Sequence, residues 1–321
     1  MNEHQVDLPA RLSGLIGAVE ACIAAAGRPL APDVLAGLFG HAFESSYALG
    51  GAELWNAGVI EWSLHARGLG RLGLGLEGAD LVSNNPAVRP IPSDGERAAA
   101  LRQAWEQVRA SVARGVPALA WSPMSAAQRD AGLGAFCWGI LEGVDEGSGE
   151  YLVHHAQAGR FRVHHAALGR VDAVQWLSVT TFGAPTGADE ARAAHEAIVD
   201  GAALLAGELP SADQPARAEV LRHGTAALDA WADEVAQGGT PHKARYWGRT
   251  RRAAEGFCGW AAQALPGAAV ALDRAREAFG EQAALLERLD RGEGPASDLA
   301  NQVAQLQWEA LAQLRRASAQ A

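Results

Sequence analysis

The arrangement of apolar and polar positions changes character near residue 185. Before it, short β-like runs alternate with glycine-rich stretches. After it, nearly every segment repeats with helical period. Residues 15–26 form an apolar run that stops at Gly27, with Pro29 just beyond, which predicts a helix and its end. Pro32 opens a second, shorter helix bracketed by Gly37 and Gly40, because proline fits a first helical turn. Ser93 and Glu96 stand at capping-box spacing ahead of the stripe Leu101, Trp105, Val108 and Val112, which predicts a longer helix. Residues 65–90 read as irregular, and the glycine run 68–75 reads as a flexible loop, since it lacks the Lys-Ser/Thr of a phosphate-binding loop.

Strands are predicted at 116–121, 136–142, 151–155, 160–164 and 174–180, with Ala158-Gly159 as a hairpin turn between the third and fourth. Helices are predicted at 189–207, 215–236, 242–264, 266–290 and 298–317. The last carries Leu299, Val303, Leu306, Ala310 and Leu314 on one stripe, with Ser297 as its N-cap. A helix followed by strands on short connections implies an antiparallel sheet and an α+β class. Residues 1–185 are therefore expected to form an α+β domain, and 186–321 a helical region, either a separate domain or an extension.

Composition narrows the function classes. The chain has 321 residues and a net charge of -10, so a general nucleic-acid binder, which needs a basic face, is not expected. Three cysteines, Cys22, Cys137 and Cys258, make neither a disulfide framework nor a Cys-x-x-Cys zinc knuckle. No apolar run is long enough to span a bilayer, and MNEHQVDLPARL lacks the regions of a signal peptide, so a cytoplasmic protein with no membrane partner is expected. Lys243 is the only lysine against 26 arginines, a bias expected of a GC-rich bacterial gene. Lys243, Arg245, Arg249, Arg251 and Arg252 form a local basic run that reads as a solvated helix face or an anion or partner site.

The segment GVPALAWSPMSAAQRDAGLGAFCWGILEGVDEGSGEYLVHH runs through a strand, a loop, an aromatic strand ending Gly-Val-Asp, a charged turn and another strand. It resembles the second half of a papain-like cysteine peptidase. The versions in the double-glycine-leader peptidases of bacteriocin exporters and in the butirosin-biosynthesis acyltransferase family are the most similar in pattern. Gly37-Leu38-Phe39-Gly40-His41-Ala42-Phe43 resembles the Gly-x-x-Gly-x-Ala-Phe signature of the second group. His223-Gly224-Thr225-Ala226-Ala227-Leu228 followed by Trp231 is similar to its helical part. The resemblance implies a papain-like antiparallel sheet packed on an N-terminal helix, followed by a mostly helical region.

It also implies a thiol at a helix N-terminus, a histidine base opening a strand, and an Asn or Asp to orient it. Cys22 is the candidate nucleophile in the first helix, although another register puts Ser13 or Leu15 there. At the two positions where the family has His-Trp, this chain has Cys137 and Trp138. Cysteine is a poor neutral-pH base. The orienting position falls near His154 or His155. The implied reading is a catalytically degenerate protein that binds a small molecule or peptide. An active acyltransferase or peptidase using Cys22, and a structural or homo-oligomeric protein, stand as alternatives.

The remaining candidates are weaker. His41 and Glu44 sit where glycines bring backbone close, and could contact a ligand. His154-His155 and His164-His165 could lend at most one imidazole per pair to a common face beside Cys137. No ligand spacing supports a metal or cofactor there, and none is predicted. Glu53, Trp55, Asn56, Glu61 and Trp62 form a polar-aromatic cluster, and Asp145 reads as a turn cap beside Glu142.

Overall fold

The computed structural model describes residues 13–49, 62–82, 93–132, 137–171, 174–187, 189–209 and 221–321. The cluster at Glu53, Trp55, Asn56 and Glu61 lies outside the described residues, as does the Trp62 side chain. The first elements are α1 Gly14–Ala25, α2 Pro32–Leu38, β1 Ser46–Ala48, α3 Trp62–Arg71, β2 Leu74–Val82 and α4 Asp94–Ala113. There follow β3 Ala118–Trp121, α5 Ala126–Asp130, β4 Trp138–Asp145, β5 Glu150–His155, β6 Gly159–His164, β7 Arg170–Val171 and β8 Val174–Pro185. The chain ends with α6 Glu190–Ala206, β9 Leu221–His223, α7 Thr225–Ala236, α8 Ala244–Ala264, α9 Ala269–Asp290 and α10 Ala296–Gln320. The class is mixed α+β, with a helical C-terminal region. Among the described residues no helix is long and apolar enough to cross a membrane.

The chain forms two compact units, Met1–Leu30 with Gly73–Gly187, and Ala31–Leu72 with Ala188–Ala321. The expected single division at residue 185 is therefore corrected. Residues 31–72 leave the sheet and join the helices, because their apolar side chains find partners there. Phe43 lies 5.6 Å from Phe257 and 5.9 Å from Phe279, ring centre to ring centre. Gly37 leaves space that the Phe257 ring occupies.

In the sheet unit the strands run β2-β8-β3-β4-β5-β6, with β7 added against β8, and every pair is antiparallel. α4 starts with the expected capping box: Ser93 Oγ accepts from the Glu96 N–H, and Glu96 accepts from the Ser93 N–H. Its stripe Leu101, Ala104, Val108 and Val112 packs with Ala118, Ala120, Leu141, Tyr151, Val153 and Val179 of the sheet. A buried leucine or valine there contributes about 1.5–3 kcal/mol. Leu119 and Ile140 alternate with those positions and point to the other face, where they are also fully buried. α1 packs against β3 and β4.

The reading of 65–90 as irregular is corrected for residues 65–82, and 83–90 lie outside the described residues. The glycine run is shared between α3 and β2, and β2 pairs with β8 along Leu74–Val82. Its glycines dilute the alternating pattern, so the strand is defined by its partner. Gly68 serves packing in α3, since a Cβ there would come within 2.6 Å of the Phe39 ring.

In the helical unit α8 packs on α9, α9 on α10, and α10 on α6 and α7. Leu228, Trp231, Trp247, Leu286, Leu289, Leu299 and Val303 form one core cluster. The predicted helix 215–236 divides. Leu221–His223 pairs with Ser46–Ala48, and Gly224, at φ 63°, turns the chain into α7. α10 begins after Pro295, so Ser297 lies inside the helix and is not its cap. Asp200 is held by Arg67 at 2.5 Å and by Arg71, whose Nη1 also donates to the Leu38 carbonyl at 2.9 Å.

Candidate functional site

In the sheet unit, α1 starts at the N-cap Ser13, whose Oγ accepts from the Ile16 N–H at 3.3 Å. The Cys137 sulfur lies directly against Gly14, so close that a Cβ at Gly14 would collide with it. The thiol is half-buried at the start of β4, on the first turn of α1. Burial pushes its pKa up, and the Trp138 N–H opposes that rise. The positive end of α1 also favours a thiolate at this place. Trp138 is buried beside Trp121, with ring centres 5.3 Å apart.

Cys22 is in a different situation. It is fully buried in the second half of α1, away from the helix N-terminus, and burial pushes its thiol far up. The expectation of a nucleophile there is corrected: Cys22 packs in the core as a small apolar residue. Ser13, not Cys22, stands at the start of α1, as its N-cap.

His155 is also spent on structure. Its Nδ1 accepts from the Gln157 N–H at 3.2 Å and from the Ala158 N–H at 3.1 Å. It thus closes the turn between β5 and β6, where Gly159 adopts φ +71°. Accepting at Nδ1 requires the neutral ring with its proton on Nε2, and burial lowers the pKa in the same direction. Its Nε2 is buried without a hydrogen-bond partner. His154 alternates to the other face and is half-buried. The β5–β6 register pairs His155 with Gly159 and His164 with Glu150, so the two histidine pairs sit at opposite ends of the hairpin. That separation rules out their sharing one ion with Cys137. Asp145 caps its turn as expected, accepting from the Gly147 N–H at 3.1 Å, while Glu142 accepts from Arg160 at 2.9 Å.

One residue that sequence reasoning missed is Ser122. It is the only described non-glycine residue at positive φ, 44°, and it is 1% exposed. Its N–H donates to the Cys137 carbonyl at 2.8 Å, and its hydroxyl makes no hydrogen bond. Strain of this kind costs of the order of 1–3 kcal/mol and persists only where the surroundings enforce it. The only sequence signal was its place before Pro123, where the backbone is already restricted.

His41 and Glu44 belong to the helical unit, whereas Cys22, Cys137, Trp138, His154 and His155 belong to the sheet unit. His41 follows Gly40, which takes φ 78°, and its ring stacks on His65 at 5.8 Å. Both rings are buried, and burial lowers His41 to about 3 and His65 to about 4. Glu44 is fully buried, and burial raises its pKa against the pull of Lys243, Ser46 and Arg251. Its neighbour Arg251 is fully buried too. Arg251 Nη1 donates to the Ala42 and Glu44 carbonyls, each at 3.2 Å, and Nη2 donates to Ser45 Oγ at 2.5 Å. Gln307 also donates to Ser45 Oγ, at 3.1 Å, and Gln282 donates to Gln307. The solvated-face reading of the basic run is therefore corrected for Lys243 and Arg251, which are 3% and 0% exposed. It holds for Arg252, which pairs at the surface with Glu255 and Glu287.

No family model matches the chain, and no curated protein matches it.

Proposed function

We propose that the sheet unit is a papain-like module that has exchanged hydrolysis for binding, and that it holds a small molecule or peptide beside the first turn of α1. The observation that carries this reading is the seat of the Cys137 sulfur on Gly14. In a peptidase of this kind the helix start carries the thiol and the facing strand carries the base. Here the helix start carries Ser13 and Gly14, and the strand carries the thiol. Two further observations support the loss of hydrolysis. Cys22 is packed away from solvent, and the His155 Nδ1 is committed to its own turn. Among the described residues, neither the Cys137 thiol nor the Ser13 hydroxyl is hydrogen-bonded to a base that would activate it.

The test uses a fluorescent peptide with an internal Gly-Gly, followed by anisotropy for binding and by mass spectrometry for cleavage. The expected result is saturable binding of a peptide that stays intact, with binding weakened by Cys137→Trp, which fills the space against Gly14. Cleavage that disappears in Cys137→Ser would restore a catalytic reading. No saturable binding would remove the peptide reading.

A further inference from the structure

The end of the sheet at which α1 begins holds more than the contact of Cys137 with Gly14. β3 ends at Trp121, β5 ends at His155, and β4 starts between them at Trp138. The antiparallel registers pair Trp121 with Trp138 and Gly139 with His155. Ser122, Cys137 and His155 therefore stand side by side at one end of three neighbouring strands. The first turn of α1 lies on them: a Cβ at Gly14 would collide with the Cys137 sulfur and come within 3.4 Å of the Ala156 Cβ and 3.6 Å of the Trp138 carbonyl. The spot opens to solvent, because Ser13, Gly14 and Cys137 are each partly exposed and Ala156 is exposed.

The two side chains that flank Cys137 are each buried with an unmatched group. His155 is 0% exposed. Its Nδ1 is taken by the Gln157 and Ala158 N–H groups, which fixes its proton on Nε2. That N–H turns to the Cys137 main chain and makes no hydrogen bond of good geometry. On the other side Ser122, 1% exposed, donates its backbone N–H to the Cys137 carbonyl at 2.8 Å, while its hydroxyl has no partner among the described residues. Its φ of 44° is a conformation that a non-glycine residue keeps only when its surroundings enforce it. Buried groups left unmatched in this way are uncommon in native proteins unless a ligand or water meets them.

The groups gathered here are donors. His155 Nε2, the Ser122 hydroxyl and the Cys137 thiol each carry a hydrogen. The Gly14 and Leu15 N–H groups have no carbonyl to bond within the helix, and Ser13 Oγ takes the Ile16 N–H. α1 has no acidic side chain in its first turn, so nothing on the helix offsets the positive end of its dipole. The matching partner brings acceptors and negative charge. Burial and the Trp138 N–H are what act on the Cys137 thiol, with no arginine or lysine among them. That suits the single charge of a carboxylate better than the double charge of a phosphate monoester.

We infer that the sheet unit holds its ligand by a carboxylate, seated on the first turn of α1 between the Ser122 and His155 side chains. The inference rests on the binding role proposed above and names the chemical group that is bound. The C-terminus of a peptide and the acid group of a small molecule share this chemistry.

Two pairs of dye-labelled probes test it on the full chain by fluorescence anisotropy: a tetrapeptide with a free C-terminal carboxylate and its carboxamide, and a butanoate and its butanamide. The acid of a pair is expected to bind at least about tenfold tighter than the amide. That preference in both pairs means that a small acid suffices; in the peptide pair alone, it means that the ligand is a peptide C-terminus. His155→Asn keeps an acceptor for the turn N–H groups and removes the Nε2 donor. Ser13→Asp keeps a capping oxygen and puts a negative charge at the helix start. Each variant, checked for an unchanged circular dichroism spectrum, should lower the preference for the acid about tenfold. Acid and amide bound equally by the native protein overturn the inference and leave the binding role standing. A preference that survives in both folded variants overturns it as well, because the carboxylate then sits elsewhere. No saturable binding of any probe removes the binding role and the inference together.

Discussion

The two units treat their chemically capable side chains in opposite ways. In the sheet unit such groups are absorbed by local backbone duties: His155 and Asp145 close turns, Ser13 caps α1, and Cys22 is plain filling. In the helical unit Glu44, Lys243, Arg251, His41 and Asp200 are all buried at points where separate segments of chain meet. A polar group that serves its own turn finds at least one partner close by, as His155 Nδ1 does, although His155 Nε2 and Ser122 Oγ are still buried without one. A group that is buried between distant segments must have its partners assembled, and any shortfall stays visible as an unmatched atom. The His41 ring nitrogens and Glu44 Oε2 are of that second kind. The difference teaches that chemistry gathers where separate segments of chain meet.

The largest effect expected from breaking this contrast is at Asp200. Asp200→Ala leaves Arg71, only 4% exposed at its side chain, with the longer Glu196 contact at 3.4 Å in place of its close carboxylate. The expected loss is about 3–5 kcal/mol in urea unfolding. A loss under about 1 kcal/mol would put this pair among ordinary surface ion pairs.

Acid comes next. His41 and His65 titrate at about 3 and about 4 when folded, below the ordinary value of 6.5. The unfolded chain therefore binds protons first as pH falls, and stability present above pH 6.5 is lost progressively toward pH 4. The loss is of the order of 3 kcal/mol per ring at most. Glu44, raised by burial, acts in the opposite sense and softens it. The midpoint of urea unfolding, followed from pH 7 to pH 4, should fall in the native protein and fall less in His41→Phe.

In the sheet unit, Gly14→Ala should cost about 1–3 kcal/mol, because its Cβ meets the Cys137 sulfur. Cys137→Ala should relieve that cost, with a coupling of at least about 0.5 kcal/mol in a double-mutant cycle. Additive costs would mean that the two sites do not touch. The smallest effect is at the α4 cap, where Ser93→Ala should cost about 1 kcal/mol by the same measurement.

What could be read in the sequence follows the same division. The α4 capping box, the Gly159 turn and the Asp145 cap depend on residues close in sequence, and each is where the pattern put it. β2 was hidden because Gly75 and Gly78 carry no side chain to alternate, and only β8 reveals it. The departure of residues 31–72 from the sheet was hidden because Phe43 and Phe257 are joined by tertiary packing alone. The burial of the basic run left a trace that was not used. Lys243, Trp247 and Arg251 recur every fourth residue and so share one helix face with an aromatic at its centre. Charge made that face look wet. The mutual position of Cys137 and Gly14 left no trace in spacing or composition.

The excursion of the chain between Leu30 and Gly73 also has a bearing on how the protein is made. Arg251 Nη1 grips the Glu44 carbonyl across 207 residues of chain. During synthesis, Phe43 and Glu44 emerge early and must wait while every strand of the larger sheet is translated. Their partners on α8 and α9 come only after the sheet. Until then an apolar stretch and a buried-to-be carboxylate stand in water, and long-range closure of this kind is slow. The helical unit's core is therefore the part of the molecule that the growing chain can close only at the end.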